Sequence, residues 1–129
     1  MPPFEKSHEL KTFKQRKCLE TRKHEVCTIR SKFPNKIPVI VERYSGETVL
    51  PPLDKTKFLV PQEMTMGQFI CLLRSRVVLC GTQALFVFVL GRALCCLSSS
   101  MAEVYTSHHD RDGFLYLCYA SQDAFGAPL

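Results

Sequence analysis

A capped, amphipathic segment in the middle of the chain constrains the possible folds most. Thr65 and Gln68 have the spacing of a capping box, in which each side chain bonds the other residue's backbone N–H. The apolar residues that follow at helical spacing are Phe69, Leu72, Leu73 and Val77. They predict a helix with one apolar face, which has to be buried against another element. The segments on either side of this helix must therefore provide the packing surface.

Two strand-like segments precede the central helix. KIPVIVERY, residues 36–44, is rich in β-branched residues and predicts a strand. Lys57 to Val60 predicts a second, short strand, with Pro51-Pro52 on one side and Pro61 on the other. Proline cannot donate to a sheet ladder, so this second strand is expected at the edge of the sheet.

Three further elements follow the central helix. The first, residues 84–98, is predicted to be a hairpin. The second, residues 100–105, is predicted to be a short helix with a second capping box, Ser100 and Glu103. The third, residues 114–121, follows the turn DRDG and is predicted to be a last, buried strand. This order predicts an α+β fold with the main helix on one face of a sheet. The second strand would return antiparallel to the first, and the last would lie parallel beside it, as in a ubiquitin-like β-grasp.

The amino-terminal arm, residues 1–36, has a different composition from the rest of the chain. Residues 12–36 predict a helix that ends at Pro34, with Thr12 to Lys17 as a separate short helix. The apolar stripe of the longer helix would be Leu19, Val26, Ile29 and Phe33. Ten basic and four acidic residues fall in the arm, whereas the remainder is nearly neutral. An acidic polymer, membrane surface or peptide is the expected partner, and a solvated helix face is the alternative.

Size and hydropathy argue for one domain of 129 residues without a leader or membrane span. The first twelve residues are polar and include Pro2 and Pro3, so no signal peptide is expected. Residues 77–97 are apolar overall but are interrupted by Gly81-Thr82-Gln83 and by Gly91-Arg92. A spanning helix needs about 20 mostly apolar residues in a row, so two buried strands around a turn explain this stretch better.

The residue types that carry catalysis are not arranged for it. The seven cysteines include no CxxC pair and predict reduced, intracellular thiols that act as small core hydrophobes. Asp110 and Asp112 predict a turn, and no glycine-rich phosphate loop occurs. Glu20 and Glu25 interrupt the basic face of the arm, so nucleic acid is not an expected partner. We expect no enzyme activity, no cofactor and no metal site.

The predicted edge strand suggests how the domain would bind a partner. Free backbone groups along an edge can pair with an extended peptide, while pockets for alternate side chains provide specificity. Lys57 could lay its methylene stem over such a pocket and keep its charge in water. Candidate pocket walls are Ile29, Ile40, Phe69, Leu72 and Leu73, and the alternative is that these side chains only fill the core.

Several blocks of the sequence together resemble a known family. KIPVIVERY, LDKTKFLVP, MAEVY, DGFLYLCYASQ and the late Phe-Gly pair are similar to the autophagy ubiquitin-like modifiers, and in particular to their microtubule-associated protein light chain 3 branch. The resemblance runs from about Phe13 to Gly126 without obvious gaps. It implies a basic helical arm (1–36), a β-grasp core (37–121) and a flexible tail with a processing site (122–129).

The resemblance also implies a sequence of reactions at the tail. A processing cysteine protease would cut between Gly126 and Ala127, and activating and conjugating enzymes would carry Gly126 as a thioester. The glycine would end as an amide on phosphatidylethanolamine, on the autophagosome membrane or cytoplasmic vesicles, and the unconjugated protein would be cytoplasmic. A non-conjugated module that binds peptides or tubulin, on microtubules, is the alternative.

Cargo receptors with aromatic-x-x-aliphatic motifs would bind two pockets that the resemblance implies. The aromatic pocket would comprise Glu25, Ile29, Pro38, Ile40, Lys57, Leu59 and Phe114. The aliphatic pocket would comprise Phe58, Val60, Pro61, Phe69, Leu72, Leu73 and Arg76. Acidic residues beside the motif would meet Arg16, Lys17 and Lys36. Two departures from the family pattern stand out: the turn Leu90-Gly91-Arg92, and Phe69, whose size would narrow the aliphatic pocket.

Overall fold

The structure is a computed structural model that describes residues 12–47, 49–77, 85–89 and 97–121. Four helices and four strands lie in these ranges. In chain order they are α1 (Phe13–Arg16), α2 (Leu19–Lys32), β1 (Lys36–Arg43), β2 (Lys57–Pro61), α3 (Met66–Arg76), β3 (Phe86–Val89), α4 (Met101–His108) and β4 (Leu115–Ala120). The predicted helices and strands within the described ranges are confirmed, including the break between α1 and α2.

The four strands form one mixed sheet in the order β2-β1-β4-β3. Strand β1 pairs antiparallel with β2, with Ile40 opposite Lys57, and parallel with β4, with Ile40 opposite Tyr116. Strand β3 pairs antiparallel with β4. The fully buried β4 and the largely buried β1 lie in the middle, and the proline-flanked β2 lies at the edge, as predicted. The α+β, ubiquitin-like β-grasp topology is confirmed.

Each face of the sheet carries its own apolar cluster, because successive side chains of a strand point to opposite faces. On one face Val39, Val41, Leu115 and Leu117 share a cluster with Phe69 and Leu73 of α3 and with Met101 and Val104 of α4. On the other face Ile40, Phe114 and Tyr116 share a cluster with Phe13 and Val26 of the arm, against which Ile29 packs. The arm is therefore a third layer that covers the sheet opposite the main helix.

Three of the helices begin with a complete capping box. The hydroxyls of Thr65 and Ser100 accept from the backbone N–H of Gln68 and Glu103, and both boxes were predicted. Thr12 and Gln15 form a third box at α1. The N-cap residue of α2 is Cys18, whose side chain makes no capping hydrogen bond.

Two predictions about the arm and the cysteines are wrong. Phe33, predicted on the buried stripe of the arm helix, is 44% exposed because it lies at the C-cap, where the backbone has left helical geometry. Cys18, Cys27 and Cys71 are exposed on helix surfaces rather than buried in the core. Cys118 is the buried thiol of the described residues, and burial together with the charge of Glu42 raises its pKa to about 11.

Two other predictions concern residues 77–97. The first half of the predicted hairpin is β3, and its turn and second half, with Leu90-Gly91-Arg92, lie outside the described residues. Among the helices that the structure describes, none has the length and apolarity needed to cross a membrane.

Candidate functional site

An open cleft of about 500 Å³ lies between the arm helix α2 and the edge strand β2. The helix contributes His24, Glu25, Thr28 and Ile29, and the β2 side contributes Lys55, Lys57 and Leu59. Leu59 is 37% exposed, which makes it one of the few large apolar side chains of the described surface that water reaches. The cleft thus combines an apolar wall with charged groups.

One carboxylate oxygen in the cleft wall binds two lysines. Glu25 Oε2 lies 3.0 Å from Lys17 Nζ and 2.6 Å from Lys57 Nζ, so it joins the arm to the edge strand. Burial raises the pKa of Glu25, but hydrogen bonds from Lys57 and Lys17 outweigh that effect and lower it below the ordinary value. Glu25 is therefore ionised at neutral pH. Because all three side chains are partly exposed, each pair is worth only about 0.2–1 kcal/mol.

The residues of the implied aromatic pocket divide into a surface group and a buried group. Glu25, Ile29, Lys57 and Leu59 line the cleft. Pro38 and Ile40 are buried on β1, directly opposite Leu59 and Lys57 in the strand pairing. Phe114 is buried with Ile40 in the arm-side cluster, against which Ile29 packs. The structure therefore brings these residues together, with the second group inside the core.

The residues of the implied aliphatic pocket lie on the other face of β2, apart from Pro61, which ends the strand on the side of Lys57 and Leu59. Phe58, Val60, Phe69 and Leu73 belong to the cluster under α3, and Leu72 packs against it. The rings of Phe58 and Phe69 meet edge to face at 5.8 Å. Pro61 is half-buried, and Arg76 is exposed with its guanidinium 5.6 Å from the centre of the Phe58 ring. The edge strand thus separates the two sets of residues, one on each face.

Three cleft residues were missed in the sequence: His24, Thr28 and Lys55. Their positions carry a signal that could have found them. His24 and Thr28 are four residues apart and form the row next to Glu25 and Ile29 on the helix. Lys55 continues the alternation of Lys57 and Leu59 in the N-terminal direction. Two adjacent helix rows and one strand face therefore define the whole cleft lining.

The predicted contacts for acidic partners lie on or beside the arm. Arg16 is exposed, with its guanidinium 5.8 Å from the centre of the Phe13 ring. Lys17 already binds Glu25, and Lys36 is half-buried at the start of β1. Gly126 and Ala127 lie outside the described residues.

A buried ion pair holds the arm against the sheet. Arg22 Nη1 lies 2.5 Å from Asp112 Oδ2, which also accepts a 2.6 Å hydrogen bond from the Tyr116 hydroxyl. Asp112 Oδ1 accepts from the backbone N–H of Phe114, so the turn that Asp110 and Asp112 predicted is also the anchor for α2. No group of three metal-ligating side chains occurs in residues 12–47, 49–77, 85–89 and 97–121.

The comparisons with known proteins agree with this architecture. The model of a family described as "Autophagy protein Atg8 ubiquitin like" matches residues 21–126. The chain belongs to the Atg8 family. It is 57% identical over 126 residues to human microtubule-associated protein 1 light chain 3 gamma, covering 98% of this chain and 86% of the relative. It is 41% identical over 114 residues to autophagy-related protein 8 of Mycosarcoma maydis, covering 88% and 95%.

A solved structure supports the same assignment. The crystal structure of Trypanosoma brucei ATG8 superposes with a TM-score of 0.79 at 35% identity, over 87% of this chain and 95% of that one. Membership makes the chain a ubiquitin-like modifier of autophagy. Atg8 proteins work with conjugation-pathway enzymes and autophagy adaptors, in the cytoplasm and on autophagosomes.

Proposed function

We propose that this Atg8 protein is cut between Gly126 and Ala127 by a cysteine protease and then conjugated through Gly126. Activating and conjugating enzymes would carry the glycine carboxyl as a thioester, and the amine of phosphatidylethanolamine would displace the thiol to form an amide. One observation carries the proposal: the match to the family model extends through the end of the sheet and stops at Gly126, three residues before the chain ends. Glycine has no Cβ and so passes most easily through a narrow active site.

Mass spectrometry of the protein from starved cells tests this proposal. We expect a membrane-bound form that ends at Gly126 and carries the lipid mass. Gly126→Ala should abolish this form, and a chain that stops at Gly126 should acquire lipid without the protease. Lipid on Gly126→Ala, or Leu129 retained on the membrane-bound form, would contradict the proposal. It would favour the alternative, a non-conjugated module that binds peptides or tubulin.

We further propose that the conjugated form recruits cargo receptors through the edge of β2. A peptide strand would pair with the outer edge of β2, and its aromatic side chain would enter the cleft beside Leu59 and Ile29. Its aliphatic side chain, three residues later, would meet the other face near Leu72 and Arg76. What supports this is the position of β2 at the end of the sheet, with an exposed leucine on the cleft side.

The arm would contribute electrostatic contacts to the same partners. Arg16, Lys17 and Lys36 would attract acidic residues beside the receptor motif, or the acidic tails of tubulin. Because Lys17 is bound to Glu25, an acidic partner would share or replace that pair. Affinity for an acidic peptide should therefore fall steadily with added salt, since the Debye length shortens from about 10 Å at 0.1 M to about 3 Å at 1 M. An affinity that does not change with salt would leave the arm as a solvated helix face.

A further inference from the structure

The cleft between α2 and β2 contains one side chain of the type that changes its charge under mild acidification. His24 is exposed on α2 and shares the cleft lining with Glu25, Lys55 and Lys57. Histidine is the side chain that gains a proton between about pH 8 and pH 5. With two lysines and one glutamate beside it, the lining has a net charge of +1 when His24 is neutral and +2 when it is protonated. Protonation of His24 therefore doubles the positive charge of the cleft.

The path of the chain brings His24 to the lysine end of the cleft. Helix α2 leads back into β1, and β1 pairs antiparallel with β2, so α2 and β2 run in the same direction. The ion pair between Glu25 and Lys57 fixes their alignment. His24 comes directly before Glu25 on the helix, and Lys55 comes two positions before Lys57 on the opposite wall. The apolar wall that would take an aromatic side chain comes later on both elements.

Two carboxylates lie near His24 on its own helix. Burial raises the pKa of Glu25, but hydrogen bonds from Lys57 and Lys17 lower it overall, so Glu25 stays ionised while a histidine titrates. Glu20 lies four residues before His24, one turn away on the same side of α2. A carboxylate in that position favours the protonated imidazole.

Two lysines face His24 from the opposite wall. Lys57 is paired with Glu25 at 2.6 Å. Lys55 has no ion-pair partner among the residues that the structure describes, and its ammonium lies 4.7 Å from the centre of the Phe58 ring. Lys55 is thus a cation that can pair with a carboxylate of a ligand without breaking an ion pair of the protein. A protonated His24 provides a second such cation.

We propose that His24 is a specificity-determining residue of the cleft, which on protonation strengthens the binding of peptides with acidic residues beside their aromatic residue. This inference rests on the proposed function, because it concerns the same cleft and the same peptides. Carboxylates of such a peptide would lie between His24 and Lys55 and gain a second charge-assisted contact as the pH falls. A peptide with uncharged residues at these positions gains nothing. Mild acid would therefore select the acidic receptor motifs.

The experiment measures Kd by fluorescence anisotropy at pH 7.5 and pH 5.5, at constant ionic strength. One labelled peptide is an aromatic-x-x-aliphatic motif with aspartates on both sides of its aromatic residue, and the other carries asparagines there. We expect the aspartate peptide to bind about threefold more tightly at the lower pH, since opposite charges roughly 6 Å apart in water attract by that factor. The asparagine peptide should bind equally at both pH values.

Two variants at the cleft position and one matched control assign the effect to a single side chain. His24→Gln should abolish the pH dependence and keep the wild-type affinity of the higher pH. His24→Lys should bind the aspartate peptide more tightly at both pH values, again without pH dependence. His109→Gln should behave like the wild type, because His109 is an exposed histidine at the end of α4, outside the cleft lining. Circular dichroism shows whether each variant is folded.

Each other result decides the question. Affinity for the aspartate peptide that does not change with pH in the wild type, or that still changes in a folded His24→Gln or His24→Lys chain, overturns the inference and leaves the proposed peptide binding intact. An equal gain for the asparagine peptide also overturns it, because the effect would then not involve the charge of the ligand. If neither peptide binds the wild type at either pH, the proposed recruitment through β2 fails together with this inference.

Discussion

At the scale of single residues, the tightest constraint is where the turn before β4 meets the arm. Gly113 has a φ of 96°, a left-handed conformation that side chains with a Cβ rarely adopt. A Cβ at this position would lie 2.7 Å from Val26 Cγ1. Two separate reasons, backbone conformation and close approach to α2, therefore require glycine here.

We predict that Gly113→Ala lowers the free energy of unfolding by about 2 kcal/mol or more, because left-handed strain alone is worth roughly 1–2 kcal/mol. Urea denaturation measures this change. Val26→Ala removes the methyl groups that the new Cβ would meet, so the double variant should lose less stability than the two single variants added together. Strict additivity would show that the contact with Val26 contributes nothing.

At the scale of elements, the arm is attached to the sheet by polar as well as apolar contacts. Phe13 packs edge to face on Phe114 at 5.3 Å, and Lys14 reaches Asp110 at 2.6 Å. The Arg22–Asp112 pair lies between α2 and the turn before β4 and is almost completely buried. Removing one member of a buried pair leaves the other charge uncompensated.

Arg22→Met should therefore destabilise the protein by about 3 kcal/mol. Lys23→Met, at the exposed neighbouring position of the same helix, should stay within about 0.5 kcal/mol of the wild type. Chemical denaturation of both variants provides the comparison. Equal stability of the two would mean that the buried Arg22–Asp112 pair does not hold the arm.

The edge strand β2 is the second element with a testable role. Phe58 is only 5% exposed and packs on Phe69, so its replacement would damage the fold as well as binding. Leu59 is the better probe, because it points into the cleft. Leu59→Ala should weaken binding of an aromatic-x-x-aliphatic peptide about tenfold, or roughly 1–2 kcal/mol.

Titration calorimetry measures this loss, and Val49→Ala, at another exposed apolar position outside the cleft lining, serves as its control. Unchanged affinity of a folded Leu59→Ala chain would remove the cleft from the binding site.

At the scale of the whole molecule, three partly or fully buried carboxylates connect distant parts of the chain. Burial raises the pKa of each carboxylate, but hydrogen bonds outweigh it and lower the pKa overall. The donor is Ser121 for Glu47, Lys57 for Glu25 and Lys14 for Asp110. The same groups have higher pKa values in the unfolded chain, which therefore binds more protons as the solution becomes acidic.

The stabilisation from these carboxylates should be complete above about pH 4.5 and should be lost as pH falls through their lowered folded-state values. Measured between pH 3 and 7, the free energy of unfolding should decline on the acid side. Glu47→Gln should flatten that decline, because it removes one of the groups that take up a proton. The same acid slope in Glu47→Gln and in the wild type would exclude Glu47 as a contributor.

The sequence alone determined most of the element order and the edge position of β2. Capping boxes at Thr65 and Ser100 and prolines on both sides of β2 act over a few residues, so local physics is enough to predict them. The resemblance to the Atg8 family, carried by contiguous blocks, also needed no structure. The helix starts agree with the structure because the capping signals lie within one turn, whereas α4, predicted to end at residue 105, continues to His108.

Only the tertiary structure decided which charges are buried and which residues form the cleft. Arg22 and Asp112 lie 90 positions apart, and Glu47 and Ser121 lie 74 apart, so no local pattern distinguishes them from solvated charges. The exposed Phe33 and the exposed cysteines were misjudged for the same reason, because burial depends on what packs against a residue rather than on its type. His24 and Lys55 line the same cleft because the arm folds back over the sheet, and long-range packing of that kind decides where the site is.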